Sequence, residues 1–205
     1  MKDNNGFLNG ENKRIFISVI LSSEIKSELS RIKKNIDSGH SKIRWVNPEL
    51  LHITLEFLGN QSSKKIEKIK QLLMHVANNQ KIFSIALSSS IGVFPTSEKP
   101  RVIWVGIKEG GFELERLSKA IKNTLIKHHI LKDFKGFHSH ITIGRVKYLA
   151  DKKRLMDNLN QIIVKHYSQK INSIELMESE LTSKGPIYHR IEQFSLLKKN
   201  IKGAK

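Results

Sequence analysis

The feature that most restricts the fold of this 205-residue chain is a short motif that occurs twice. His52-Ile53-Thr54-Leu55 and His140-Ile141-Thr142-Ile143 each lie within an apolar, β-branched run that is typical of a strand. Nine histidines and five threonines placed at random would rarely give even one His-x-Thr triplet, yet this chain has two with isoleucine between them. The repeat therefore predicts a molecule built from two similar halves.

Strand geometry brings the polar residues of each motif together. Side chains of a strand alternate between its two faces, so His52 and Thr54 share one face while Ile53 points the other way, into a core. The same alternation holds for the second motif. Two such strands related by pseudo-symmetry would place two imidazoles and two hydroxyls around one cleft.

This set of side chains suits in-line displacement at phosphorus. A neutral histidine can take a proton from water and a protonated one can give a proton to the leaving oxygen, because the imidazole pKa lies near neutrality. Threonine hydroxyls can donate hydrogen bonds to phosphate oxygens. A single half-buried strand histidine is more often a packing residue than a catalytic one, but the matched pair His52 and His140 favours catalysis.

Arg145 follows the second motif and would add a fork of donors suited to phosphate. It lies three residues after Thr142, and odd offsets in a regular strand point to the opposite face. We therefore expect Arg145 to reach the phosphate only if the strand ends or bulges near Gly144, a residue type that permits such a bend.

Composition narrows the classes of function. The absence of cysteine excludes disulfides, cysteine-ligated zinc and thiol nucleophiles. Lys and Arg total 36 against 19 Asp and Glu, a formal net charge of +17, which attracts polyanions such as RNA, DNA or an anionic membrane surface. The N-terminal residues contain no apolar signal segment and no stretch is long enough to cross a bilayer, so we expect a cytoplasmic protein with no membrane partner.

Apolar periodicity predicts helices alternating with pairs of strands, which favours an α+β fold with antiparallel or mixed sheets. No glycine-rich phosphate loop follows any strand, which argues against Rossmann and P-loop folds. We expect a flexible leader over 1–13, one domain over 14–197 and a basic tail over 198–205. The predicted helices are 22–37, 66–76, 114–125 and 155–163, and the predicted strands are 14–20, 43–46, 50–58, 82–94, 101–107, 137–146, 171–181 and 189–197.

Further segments extend the pattern around the motifs: Arg14 to Ile17, Arg44-Trp45-Val46, Leu51 to Gly59, Pro100 to Gly106, His140 to Arg145, Ser179, and Gly185-Pro186-Ile187-Tyr188. Together they resemble the two-histidine phosphoesterases, and within them the RNA 2′,3′-cyclic phosphodiesterases, also called 2′-5′ RNA ligases. The resemblance runs from Arg14 to Leu197. It departs from the family pattern at Ser139, where the family usually has proline.

The resemblance implies a bilobal pseudo-symmetric fold, with two antiparallel sheets around a central cleft and helices outside. It implies hydrolysis of a terminal 2′,3′-cyclic phosphate to a 2′-phosphate, and leaves 2′-5′ ligation open. His52 would be the proton donor and His140 the proton acceptor, with Thr54, Thr142 and Arg145 binding the phosphate. The partners would be RNA with a cyclic phosphate end or a small cyclic nucleotide, bound by a monomer without a cofactor.

Two alternatives remain at this stage. His138, His140 and His52 could form a three-imidazole zinc site. A non-catalytic RNA- or nucleotide-binding module would also fit the basic charge, although binding alone does not need two imidazoles. Trp45, Phe94 and Phe137 could stack on a base, but the commoner role of strand aromatics is core packing.

Overall fold

The computed structural model describes residues 12–132, 136–183 and 185–197, so most of the predicted leader and the whole basic tail lie outside the described residues. The described part contains nine strands, four α-helices and a 3-10 helix at Pro48–Leu50. None of these helices is long and apolar enough to span a bilayer. The helices are α1 (Ser23–Asn35), α2 (Ser63–Ala77), α3 (Gly111–Lys127) and α4 (Lys152–Gln161). The strands are β1 (Lys13–Ile20), β2 (Lys42–Trp45), β3 (His52–Gln61), β4 (Phe83–Phe94), β5 (Val102–Glu109), β6 (His140–Tyr148), β7 (Ser168–Ile171), β8 (Ser173–Thr182) and β9 (Gly185–Ser195).

The strands form two sheets, and every strand pair within them is antiparallel. The first sheet has the order β3-β1-β8-β9 and the second has the order β2-β6-β5-β4-β7. The predicted α+β class with two antiparallel sheets is confirmed.

The repeat is visible in the topology. In each half a strand leads through a helix to a motif strand that pairs antiparallel with the first strand, as β1, α1 and β3 and as β5, α3 and β6. His52 lies opposite Ile20 near the end of β1, and His140 lies opposite Gly106 in β5. The two histidines thus occupy matching places in the two sheets.

Amphipathic helices cover one face of the sheets and decide which face of each motif strand stays open. The helix α3 buries Leu114, Leu117, Ile121 and Leu125 completely, and burial of a side chain of this size stabilises the fold by about 1.5–3 kcal/mol. The hydroxyl of Ser118 on α3 donates to the carbonyl of Leu55 at 3.1 Å. Ile53 and Ile141 are fully buried, so His52 and His140 lie on the opposite faces, as predicted.

Several predicted boundaries are wrong for local reasons. The strand predicted over 137–146 begins only at His140, because the carbonyl of His138 accepts a hydrogen bond from the His140 ring rather than from a neighbouring strand. The strand predicted over 50–58 runs on to Gln61, with Gly59 at φ 66° beside a bulge in the β1–β3 pair. The region predicted as one strand over 171–181 is divided between β7 and β8.

Candidate active site

His52 begins β3, where its ring is held by the backbone. Its Nδ1 lies 2.7 Å from the carbonyl oxygen of Leu50, and its Nε2 lies 2.9 Å from Oγ1 of Thr54. A carbonyl oxygen can only accept, so Nδ1 must carry a proton and donate it to Leu50. This tautomer leaves Nε2 as the nitrogen that gains or loses a proton.

His140 repeats this arrangement at the start of β6. Its Nδ1 donates to the carbonyl of His138 at 2.7 Å, which fixes the same tautomer. Among the residues that the structure describes, none hydrogen-bonds to Nε2 of His140. Both motifs therefore present an Nε2 for proton transfer, one beside a threonine hydroxyl and one open.

A bulge in β6 brings Arg145 to the face of His140 and Thr142. Thr142 lies opposite Trp104 and Gly144 opposite Ile103, so Ile143 is the extra residue of the bulge. Arg145 then lies opposite Val102, which shares a face of β5 with Trp104. The conditional prediction of a bulge near Gly144 is confirmed.

Gly144 also has a packing role that the sequence did not predict. Its φ is not positive, so it is not needed for backbone freedom. A Cβ on Gly144 would instead lie 2.7 Å from the Trp45 ring and 3.0 Å from Ile43. Glycine lets Trp45 of the neighbouring strand cover this part of β6.

The first sheet carries the same bulge with a different side chain at the matching position. Thr54 lies opposite Ser18 and Glu56 opposite Ile17, so Leu55 is the extra residue. Phe57 is then the counterpart of Arg145, and its side chain is 61% exposed. The two halves therefore differ at this position, since one presents a cation and the other an aromatic ring.

The two motifs share one site. The strands β3 and β6 contact each other although they belong to different sheets. Burial lowers the pKa of His52, and the positive charges of His140 and Arg145 lower it further, while the bond to Leu50 acts in the opposite direction. Burial also lowers the pKa of His140, with smaller contributions from the charges of His138 and Arg145.

Aromatic rings line both sides of the site. Next to His52, the Phe16 ring lies 5.0 Å and the Tyr188 ring 5.5 Å away, centroid to centroid. Next to His140, the Phe94 ring lies 5.1 Å and the Trp104 ring 6.1 Å away.

The sequence did not identify Phe16, Tyr188 and Trp104 as residues of the site. Alternation along a strand shows which side chains share a face of that strand, but not what this face contacts in the folded protein. Gly92 lies next to the rings beside His140, since a Cβ there would overlap the Trp104 indole. Of the aromatic residues that could stack on a base, Phe94 is one of the rings beside His140. Trp45 covers Gly144, and Phe137 lies with its centroid 6.0 Å from Nζ of Lys122.

The alternative zinc site finds no support in the described part of the chain, which holds no group of three or more His, Asp or Glu residues placed to bind a metal ion. His138 does approach His140, with 6.0 Å between ring centroids. Nδ1 of both His52 and His140 donates to a backbone carbonyl, so only Nε2 of each ring could bind a metal ion.

Comparison with known proteins agrees with this geometry. A family model described as LigT-like phosphoesterase matches residues 19–104. The chain is 35% identical over 187 residues to an RNA 2′,3′-cyclic phosphodiesterase of Aquifex aeolicus, covering 89% of this chain and 97% of the relative. It is 36% identical over 186 residues to the protein of the same name from Archaeoglobus fulgidus, covering 88% of this chain and 99% of that relative.

A solved structure shows the same fold. The crystal structure of a Thermus thermophilus protein superposes with a TM-score of 0.76 at 26% identity, covering 91% of this chain and 99% of that one. The sequence resemblance first drawn from the paired His-x-Thr motifs is thereby confirmed. The chain belongs to the LigT-like phosphoesterase family.

Proposed function

We propose that this protein hydrolyses the 2′,3′-cyclic phosphate at the end of an RNA to a 2′-phosphate, with His52 and His140 as the acid and the base. The observation that carries the proposal is the pair of imidazoles tethered through Nδ1, each presenting Nε2 to one site. The names of the Aquifex and Archaeoglobus relatives support the choice of substrate.

The asymmetry between the motifs suits a division of roles. The open Nε2 of His140 takes a proton from a water molecule, whose oxygen then bonds to phosphorus. As the bond from phosphorus to the 3′-oxygen breaks, His52 gives the Nε2 proton to that oxygen. The products are a 3′-hydroxyl and a 2′-phosphate, and proton exchange with solvent restores both histidines.

The remaining polar groups stabilise the charge that develops on phosphorus. The hydroxyls of Thr54 and Thr142 donate to the non-bridging oxygens, and Arg145 offers parallel donors from the same face as Thr142. We place the phosphate between the two motif strands, which contact each other.

Bound substrate favours the protonated form of a histidine that the free site disfavours. The pKa of both histidines is lowered by burial and by neighbouring cations, so the empty site favours two neutral rings. An anionic phosphate supplies the opposite charge and raises the pKa of the ring that must act as acid. This coupling ties protonation of His52 to the presence of an anionic substrate.

We propose that the reaction needs no metal and no cofactor, since two imidazoles and the surrounding donors supply both proton transfers. A 5′-hydroxyl of RNA attacking in place of water would form a 2′-5′ phosphodiester and release the same 3′-hydroxyl. Both motifs come from one chain, so we propose a monomer with residues 14–197 as its catalytic domain.

The test is incubation with a short RNA that ends in a 2′,3′-cyclic phosphate. A 2′-phosphate product is expected, and its position can be read from resistance to an enzyme specific for 3′-phosphates. Formation of a 3′-phosphate would refute the proposed bond cleavage. Tight binding without turnover would favour the non-catalytic binding module instead.

Arg145 can be tested separately from the general basic charge. Arg145→Gln is expected to reduce turnover of a small cyclic nucleotide at low and high salt alike, because direct contact with the phosphate is screened little. A loss that appears only with long RNA and fades as salt rises would show that Arg145 steers RNA rather than binding the reacting phosphate.

A further inference from the structure

Arginines from three strands, Arg145, Arg44 and Arg14, lie along one end of the site. We propose that Arg44, assisted by Arg14, binds the internucleotide phosphate that precedes the terminal cyclic phosphate. The preferred substrate is then the end of an oligoribonucleotide rather than a mononucleotide. This inference rests on the proposed function and adds to it a second phosphate site.

Arg44 lies directly opposite Arg145 in the β2–β6 pair. Residues that face each other across two strands share a face, so Arg44 lies on the same side of the sheet as Thr142 and His140. Like charges in this arrangement repel each other. Among the described residues, neither arginine forms an ion pair with a carboxylate, so a bound anion is the group that would relieve this repulsion.

The side chain of Arg44 leaves its own sheet and reaches the other one. Its Nη2 lies so close to Gly185 that a Cβ at this position would overlap it. Gly185 begins β9 with a φ of 133°, a conformation that other residues rarely adopt. The guanidinium of Arg44 therefore lies between the two sheets. It is next to Gly185, which precedes Tyr188 by three residues in β9.

Arg14 approaches the same end from β1. It lies two residues before Phe16 and so shares its face. Tyr188 packs against Phe16 with ring centroids 4.9 Å apart, and the charges of Arg14 and Arg145 both act on its hydroxyl, lowering a pKa that burial raises. Tyr188 is thus near an arginine of each sheet.

The nearby carboxylates do not cancel this charge. Glu178 and Glu180 alternate along β8 with Ser179, which lies opposite Tyr188, so they point to the other face. There Glu178 pairs with Lys13 at 2.7 Å and Glu180 with His189 at 3.3 Å. On the face of Tyr188, Glu175 pairs with Arg190 at 3.8 Å, while among the described residues Arg14, Arg44 and Arg145 form no ion pair.

The spacing suits two successive phosphates. Residues opposite each other on antiparallel strands have Cα atoms about 5 Å apart, and long guanidinium side chains extend this separation to the range of neighbouring phosphates along a nucleic acid strand. Arg145 serves the reacting phosphate, and Arg44 lies one strand further out. A mononucleotide has no second phosphate and gains nothing from Arg44.

The experiment compares adenosine 2′,3′-cyclic phosphate with the dinucleotide ApA ending in a 2′,3′-cyclic phosphate, at one fixed salt concentration. Wild-type protein should show the higher kcat/KM on the dinucleotide. Arg44→Gln should lose about tenfold on the dinucleotide, as expected for loss of a charge-assisted hydrogen bond, and keep the wild-type rate on the mononucleotide. Arg116→Gln on α3, which carries the same charge change on an exposed helical position, should match wild type on both.

A dinucleotide with a neutral methylphosphonate linkage provides the second arm. The kcat/KM of the wild type on this substrate should fall to the value that Arg44→Gln shows on the natural dinucleotide. Arg44→Gln should show no further loss of kcat/KM. Equal losses of Arg44→Gln on both natural substrates, or no loss on either, would overturn the inference.

Binding is measured in parallel with ApA carrying a terminal 2′-phosphate and with adenosine 2′-phosphate. A selective loss of dinucleotide affinity in Arg44→Gln supports the second site even if the wild type hydrolyses neither cyclic substrate, an outcome that would refute the proposed function alone. Equal affinities of wild type and Arg44→Gln for the dinucleotide would refute the second site.

Discussion

Nε2 of His52 lies 2.9 Å from the hydroxyl of Thr54, and the second motif has no equivalent hydrogen bond among the described residues. The two motifs are alike in sequence, in tautomer and in their places in the sheets, yet only His140 has an open Nε2. Thr54 therefore orients the His52 ring from the side opposite to Leu50. This difference supports the different roles proposed for the two histidines.

Removal of the Thr54 hydroxyl should lower kcat. Thr54→Val keeps the shape of the side chain but loses the bond to His52 and one donor to phosphate, and a loss of about tenfold is expected. Thr54→Ser keeps the hydroxyl and should recover most of the rate. Thr124→Val, which among the described residues removes only a hydrogen bond to the carbonyl of Ala120 in α3, is the control. A serine variant as slow as the valine variant would show that Thr54 acts through packing.

Loss of either motif histidine should remove most of the activity. His52→Ala and His140→Ala are each expected to reduce turnover about 10²–10⁴-fold, the usual contribution of a general acid or base. Circular dichroism should show that the fold persists. His75→Ala, on an exposed position of α2, should keep full activity, and near wild-type turnover in either motif variant would mark that histidine as structural.

The pH dependence of kcat/KM should be bell-shaped with an acidic maximum. One ring must be neutral and the other protonated, and the pKa of both is lowered, so the maximum should lie below about pH 6.5. The bound anion raises the pKa of the acid, so kcat should peak at higher pH. The limbs report the coupled pair rather than single residues.

Arg145→Gln gives the sign test for this scheme. Its charge lowers the pKa of both histidines, so its removal should move the kcat/KM maximum to higher pH, whereas Arg116→Gln should leave it in place. A rate that stays flat between about pH 5 and pH 8, or a maximum that moves to lower pH, would contradict two-histidine catalysis.

Activity should survive chelation. The described residues hold no group of three or more His, Asp or Glu placed to bind a metal ion, and the proposed reaction uses only proton transfer and hydrogen bonding. Full turnover in excess EDTA, compared with a sample given added Zn²⁺, is the expected result. Loss of activity in EDTA with rescue by Zn²⁺ would restore the three-imidazole zinc site.

Gly144→Ala should destabilise the fold at the edge of the site. The new Cβ would press on the Trp45 ring, and overpacking of this kind typically costs about 1–3 kcal/mol. The free energy of unfolding can be measured by urea denaturation. Gly136→Ala, where a Cβ meets nothing within 4 Å, should change it by less than about 0.5 kcal/mol. Equal stability of the two variants would show that Trp45 moves aside without cost.

Much of the site could be predicted from the motifs because alternation along a strand is local. The pattern His-x-Thr places both polar side chains on one face, and the buried Ile53 and Ile141 confirm which face meets the core. Helical spacing likewise predicted α1 and its capping residue Ser22, whose hydroxyl accepts from the amide of Ile25.

Structural features that depend on how the strands pair could not be predicted in the same way. The bulge at Ile143 is defined by the pairing of β6 with β5. The sequence could therefore predict that Arg145 needs a bulge to reach the site, but not that the bulge is present. The start of β6 also depends on the carbonyl of His138, which bonds to the His140 ring instead of a neighbouring strand.

The sequence by itself determined which residues could perform the chemistry and which face of each motif strand they occupy, because both follow from residue type and the two-residue period of a strand. Only the tertiary structure decided what lies around them. The rings of Phe16 and Tyr188 beside His52, and the approach of Arg44 to Gly185, join residues far apart in the chain. Such contacts depend on strand order and register, which long-range packing sets and no local pattern encodes.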